Sequence, residues 1–211
     1  MGPVLHIMRH AQGFHDTLPE GHQIHDPHLT PHGVEECKAV LASFKTYDRI
    51  DLLLASPMRR AIQTCRLCFA PCVEQRGMKI IALPLAEEAT ADPSDTGSSI
   101  DVLRSEFGDF VDLTNVKDGW YQHIGEFATD HEHLVARATH LRQWIRNRPE
   151  REAVLVCHGL FAHYITGEVD EKGNQTTGWW KDAELRTYRF TDGADEMALL
   201  SQVKAEALSM S

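Results

Sequence analysis

The chain has 211 residues, 42% of them hydrophobic and 25% charged, and carries a formal net charge of −10. That length suits one domain able to bury a substantial core, and the composition is ordinary for a globular protein. The charge argues against a nucleic-acid surface, where basic patches supply most of the affinity. No apolar stretch approaches the roughly 20 residues that span a bilayer.

In chain order, residues 3–8 predict a short buried strand, Val4-Leu5-His6-Ile7-Met8, that delivers Arg9 and His10 at its end. Thr30-Pro31 predicts a helix start, because threonine caps and proline suits the first helical position. Val34, Cys37, Leu41 and Phe44 carry that helix at helical spacing to about Phe44. Residues 51–55 predict a second strand, followed by the Ser56-Pro57 turn and a helix that continues from Arg60. Cys65, Cys68 and Cys72 fall on one face of that helix and read as buried thiols. A structural zinc site would need a matching second pair, which Cys37 and Cys157 do not form, and the expectation is no metal. His22, His25, His28 and His32 straddle Pro27 and Pro31, so no continuous helix aligns them and they read as loop residues.

Residues 78–83 predict a third strand, and a Thr90–Ser99 segment rich in Asp, Ser, Thr, Pro and Gly follows it. A short helix to Phe107 comes next, then an irregular stretch to about Asp130. Its Trp120, Tyr121 and Phe127 either cover a cleft or fill a small satellite core. Leu134, Ala138, Leu141 and Ile145 mark an amphipathic helix that stops before Pro149. A strand at 153–157 ends in His158-Gly159, a helix starts at Gly159, and a strand lies near 184–190. The alternation implies an α/β fold: a three-layer α/β/α sandwich with a mostly parallel central sheet, in one domain over 1–211.

Chemistry in such sheets gathers at the carboxyl ends of strands. Three strand ends here carry Arg9-His10, Arg59-Arg60 and His158. A neutral imidazole can attack phosphorus to form a phosphohistidine that water later hydrolyses. Guanidinium groups stay charged and match phosphate with a planar fork. A leaving alkoxide needs a proton from a nearby acid. Glu87 and Glu88 follow the third strand, and neighbours in an extended segment point opposite ways, so only one can face His10.

The ordered set Arg9-His10-Ala11-Gln12-Gly13-Phe14-His15, Asp26-Pro27-His28-Leu29-Thr30-Pro31-His32-Gly33, Ser56 to Thr64, Pro93-Ser94-Asp95-Thr96-Gly97-Ser98, His158-Gly159 and Thr187-Tyr188-Arg189-Phe190 resembles the histidine phosphatase superfamily. This is the phosphoglycerate mutase-like fold, and the resemblance is strongest to its filamentous-fungal members. It implies His10 as nucleophile, Arg9 and Arg60 as phosphate ligands, and His158 as a second imidazole on the phosphoryl group. Arg59 takes the variable place, as a solvated or rim residue. The interval to the Pro93–Ser98 run implies Glu88 as the acid, while Ala86, where the family often has leucine, keeps Glu87 open. Gln12 and Asp16 are further candidates for phosphate binding. Asp16 departs from the family's asparagine, Ser94 from its cysteine, and the 179–184 segment from its asparagine.

The resemblance thus implies a phosphoric monoester hydrolase acting on a small phosphorylated metabolite, without a cofactor. One alternative is the same fold repurposed for non-phosphatase catalysis or ligand binding in fungal secondary metabolism; a weaker one is a phosphoglycerate mutase. The expected partner is a small-molecule phosphate ester, not nucleic acid or membrane, and a homodimer stays open. The N-terminal residues lack a signal peptide's basic and apolar regions, and five cysteines suit a reducing compartment, so the expected home is the cytoplasm.

Overall fold

The computed structural model describes residues 2–191 and 196–203. Its seven strands are β1 Val4–Arg9, β2 Leu52–Ala55, β3 Ile80–Ala82, β4 Val111–Asp112, β5 Glu152–Cys157, β6 Leu185–Phe190 and β7 Leu200–Gln202. They form one sheet in the order β4-β3-β2-β5-β1-β6-β7. The first five in that order run parallel, and β6 and β7 are antiparallel additions at one side.

Side chains alternate faces along a strand, and the two faces take different helices. On β5, Val154 and Val156 join the cluster that includes Cys37, Ala61, Ile62 and Cys65, from α1 Pro31–Ser43 and α2 Arg59–Cys68. Ala153, Leu155 and Cys157 join the other, with Leu134, Leu141, Ile145 and Phe161 from α4 His131–Arg146 and α5 Gly159–Thr166. A short helix α3, Ile100–Phe107, adds Leu103 and Phe107 to the first cluster. The result is the expected α/β/α sandwich.

Helix starts follow local chemistry. The Thr30 hydroxyl accepts from the Gly33 N–H with Pro31 at the first helical position, and the Asp130 carboxylate accepts from the His133 N–H. Gly167 ends α5 with φ +74°, in the left-handed region that a glycine enters without cost.

Three expectations change. The helix from Arg60 stops at Cys68 rather than running through Cys72. Pro71 has no N–H to donate and its ring crowds the preceding turn, so Cys72 sits in a separate turn, Pro71–Gln75. All three thiols are nevertheless buried and free. The stretch read as irregular contains β4, and β7 follows the last expected strand; two and three residues are too few to display a period. No described helix is long and apolar enough to cross a membrane.

Register positions the site. Arg9 pairs with Cys157 across β1 and β5, and Ala55 with Val156 across β2 and β5. The next residue on each strand therefore emerges at one edge: His10, His158 and Ser56.

Candidate active site

The His10 and His158 rings stand 5.1 Å apart between centroids, both buried. His10 Nδ1 lies 2.8 Å from its neighbour's carbonyl oxygen, Ala11 O, which can only accept, so Nδ1 carries the proton. The remaining nitrogen, Nε2, accepts from Arg60 Nε at 3.1 Å and presents a lone pair. Burial, reinforced by the Arg60 cation, holds the His10 imidazole well below the usual histidine range and keeps it neutral.

Arg60 lies on the first turn of α2, fully buried, and its guanidinium is held on three sides. Nη1 donates to Ser94 O at 2.6 Å, while Nη2 donates to Asp95 Oδ1 at 2.7 Å and to His158 Nδ1 at 3.2 Å. Because arginine cannot accept, His158 Nδ1 is the acceptor and its Nε2–H donates to Ser56 Oγ at 2.8 Å. A hydroxyl can donate or accept, so Ser56 suits either His158 tautomer, and Nδ1 becomes a donor only when Arg60 Nη2 also turns away from it. Burial and Arg60 likewise hold His158 well below the usual range.

Arg9 enters from the end of β1. Its Nη1 donates to Trp180 O at 2.8 Å and lies 2.9 Å from Asp182 Oδ1, and its Nη2 lies 3.5 Å from Asp16 Oδ1. Asp16 also sits 3.5 Å from His15 Nε2 and accepts from the Gly13 N–H at 2.9 Å. Its carboxylate thus stays in the cluster, on Arg9. The His15 ring is 5.4 Å from that of His10, and burial, then Arg60, push its imidazole down to about 4. Arg9 Nε and His15 Nδ1 are buried without a protein hydrogen-bond partner, each lying against a glycine, Gly159 and Gly13. A side chain on Gly159 would come within 3.2 Å of Arg9 Nε, so glycine is what lets α5 start against the guanidinium.

Glu87 and Glu88 do point apart. Glu87 is buried against Arg137, its Oε1 accepting from Nη1 at 2.7 Å. Glu88 reaches the start of α5: Oε1 accepts from the N–H groups of Phe161 at 2.9 Å and Ala89 at 2.8 Å, and Oε2 from Leu160 at 3.3 Å. Burial and then the Asp95 charge raise the Glu88 carboxyl, against the pull of those N–H groups. Oε2, with one long bond, keeps a lone-pair direction for a proton.

Arg9, His10, Arg60 and His158 are therefore brought together, with Asp16 beside Arg9 and Glu88 at the α5 terminus. Gln12 turns elsewhere: its carboxamide oxygen accepts from Thr30 Oγ1 at 2.8 Å and its N–H donates to Glu36. Arg59 is not a solvated or rim residue. It ties down the 25–28 loop through Asp26 O at 2.7 Å, His28 Nε2 at 2.9 Å and His25 O at 3.3 Å, and of these the fully buried Asp26 carbonyl is the one that needs a protein donor. Trp120 fills core, donating to Ser98 O at 3.1 Å, and also joins Phe127, Leu83, Leu85 and Trp144 in lining a cleft of about 420 Å³. Sequence reading gave no role to Ser56, Asp95, Thr64 or Asp182. Asp95 and Ser56 lay inside quoted motifs, but their pairing with Arg60 and His158 spans 35 and 102 positions.

Residues 5–202 match the histidine phosphatase superfamily, branch 1. The chain is 24% identical over 159 residues to a probable phosphatase of Schizosaccharomyces pombe, covering 74% of each. It is also 24% identical over 197 residues to a phosphoglycerate mutase-like protein of Arabidopsis thaliana, covering 75% of this chain and 72% of that one. Among solved structures, the ecdysone phosphate phosphatase of Bombix mori, in complex with tungstate, superposes with a TM-score of 0.65 at 15% identity, covering 89% of each chain.

Proposed function

We propose that this chain, which belongs to the histidine phosphatase superfamily, hydrolyses a small phosphorylated metabolite through a phosphohistidine. The observation that carries the reading is the proton arrangement on His10. With Nδ1–H committed to Ala11 O, Nε2 is the unprotonated nitrogen, its lone pair held on the Arg60 Nε–H and freed for attack on phosphorus when Arg60 turns to the phosphoryl oxygens. The probable phosphatase of S. pombe supports the same reading. The ground for placing the chain in the filamentous-fungal branch is the sequence resemblance of its Pro93–Ser98 run alone.

In this mechanism Arg9 and Arg60 take the equatorial oxygens, and positioning plus charge does most of the work. His10 Nε2 forms a bond to phosphorus as the P–O bond to the leaving group breaks, and the Glu88 carboxyl gives the departing alkoxide its proton. Water then attacks the phosphohistidine, Glu88 takes the water's proton, and His10 is released with inorganic phosphate. His158, once Ser56 and Arg60 have turned, donates Nδ1–H to the phosphoryl oxygens.

The test is to mix the protein with a radiolabelled phosphate ester and quench it. Label bound to protein that survives alkali and is lost in acid is the expected phosphoramidate. His10→Ala should lose both that label and turnover, by at least about 10³-fold, because the nucleophile itself is gone. Turnover within tenfold of the parent chain would reject the mechanism. A second reading, ligand binding without turnover, draws on the two carboxylates beside Arg9, which weaken its hold on a phosphate dianion. Failure to hydrolyse p-nitrophenyl phosphate while still binding phosphate would favour it.

A further inference from the structure

The geometry points to Arg137 as the positioning residue for Glu88, a guanidinium clamp that fixes the acid's own backbone, with Glu87 as its buried hydrogen-bond partner. This inference rests on the reading of Glu88 as the general acid.

Arg137 lies on α4 and is 1% exposed, as deeply placed as an aliphatic core residue. Its partners are not scattered. Nη1 donates to Glu87 Oε1 at 2.7 Å, and Nη2 donates to the main-chain carbonyls of Glu87 at 3.2 Å and Glu88 at 2.9 Å. The face of the guanidinium rests on the Phe161 ring, 4.1 Å from its centroid. Phe161 in turn supplies the N–H that Glu88 Oε1 accepts. One side chain therefore touches both ends of the acid: the peptide units that carry it and the residue that receives its carboxylate.

A buried ion pair by itself is weak evidence for stability, since an apolar pair of similar volume packs as well or better. An apolar side chain, however, cannot hold two carbonyl oxygens. Glu88 needs such a hold, because it sits between the short turn Pro84–Ala86 and the loop that leads to Pro93, with no regular element of its own. Burial raises the Glu87 carboxyl to about 8 against the lowering pull of Arg137, and its oxygen still accepts from Nη1, so the buried guanidinium keeps a hydrogen-bond partner there. Its second oxygen has no hydrogen-bond partner, and His123 Nδ1, also without one, is 3.8 Å from Oε1. The adjacent glutamates thus divide the labour, one held in the core so that the other can work at the edge.

The experiment uses the full chain and a series of ring-substituted phenyl phosphates, whose leaving groups differ in basicity and little in shape. The readout is kcat/KM, which reports steps through formation of the phosphoenzyme. Arg137→Met should depress phenyl phosphate at least about tenfold more than p-nitrophenyl phosphate, because a misplaced acid harms only the ester that needs a proton. Arg137→Lys should fall between, with charge restored but no fork to bridge two carbonyls. The double variant Arg137→Met with Glu87→Leu removes the unpaired buried carboxyl, restores folding as read by circular dichroism, and should keep the steeper leaving-group dependence. A merely structural role predicts that all esters fall by one common factor, and that result overturns the inference. Glu88→Gln, run on the same series, separates the layers. If it steepens the dependence and the Arg137 variants do not, the clamp fails and the phosphatase mechanism stands. If it leaves the dependence unchanged in an active enzyme, the acid role of Glu88 fails and the clamp with it.

Discussion

At the scale of single residues, the proposed mechanism makes the charges around Arg9 the control on how strongly the site would hold phosphate. Asp182 lies 2.9 Å and Asp16 3.5 Å from its terminal nitrogens, with all three side chains about one-fifth exposed. Burial raises the Asp182 carboxyl above its ordinary range, against the lowering pull of Arg9 and with help from Asp16. A raised carboxylic acid takes up its proton sooner as pH falls, so the Asp182 charge is lost earlier toward acid than that of an ordinary aspartate. Asp182→Asn should therefore tighten inhibition by inorganic phosphate at pH 7.5 by roughly fivefold, about 1 kcal/mol for a partly exposed charge pair. The gain should shrink as pH falls toward 5, because a raised carboxyl takes up its proton sooner than an ordinary aspartate. Asp16→Asn should act in the same direction at pH 7.5. Inhibition constants that match the parent's at both pH values would show that neither carboxylate senses the phosphate.

At the scale of elements, the site depends on how α1 and α2 begin. Thr30 caps α1 with its hydroxyl oxygen and also donates to the Gln12 carboxamide oxygen at 2.8 Å, so helix start and strand exit share one residue. Thr30→Ala should cost about 1 kcal/mol from the lost cap, plus the contact with Gln12, and chemical denaturation would measure it. Activity should fall less than twofold, since Gln12 faces Thr30 rather than the histidines. A large loss of kcat with unchanged stability would instead place Gln12 in catalysis. The start of α2 works differently: Met58 offers no side-chain cap, and Arg59 uses its own N–H, donating to Asp26 Oδ1 at 3.0 Å. The Asp26 carboxylate also accepts from Ser98 N–H and Oγ–H. One buried acid thereby joins the 26–33 loop, the Ser98 loop and the helix that carries Arg60.

At the scale of the whole molecule, a formal charge of −10 surrounds a pocket meant for an anion. Arg60 is fully buried and paired with Asp95, and Arg9 is offset by two carboxylates, so little positive potential reaches solvent. A dianionic ester approaching from beyond a Debye length, about 10 Å at 0.1 M salt, meets net repulsion. Raising ionic strength from about 20 to 200 mM should then increase kcat/KM for such esters by about twofold. A steep decrease would mean that the pocket's cations project outward and steer the substrate.

The strands, helix starts and strand-end histidines were legible in the chain because they rest on short-range rules: apolar periodicity, the Thr30-Pro31 cap, and motifs a few residues long. Pro71 was legible too, and weighing it would have ended α2 at its true place. Other features had no local signal. Strands of two and three residues acquire their identity only from the neighbour they pair with. Gln12 and Asp16 are near neighbours on one strand exit, yet one turns to a helix cap and the other to Arg9, a choice made by partners 18 and 7 positions away. The chain could narrow the acid to Glu87 or Glu88 and show that they must diverge. Only the packing of α4 and α5 assigned them opposite surroundings, a buried arginine for the first and a helix N-terminus for the second, because burial and charge depend on what the rest of the fold brings within a few ångströms.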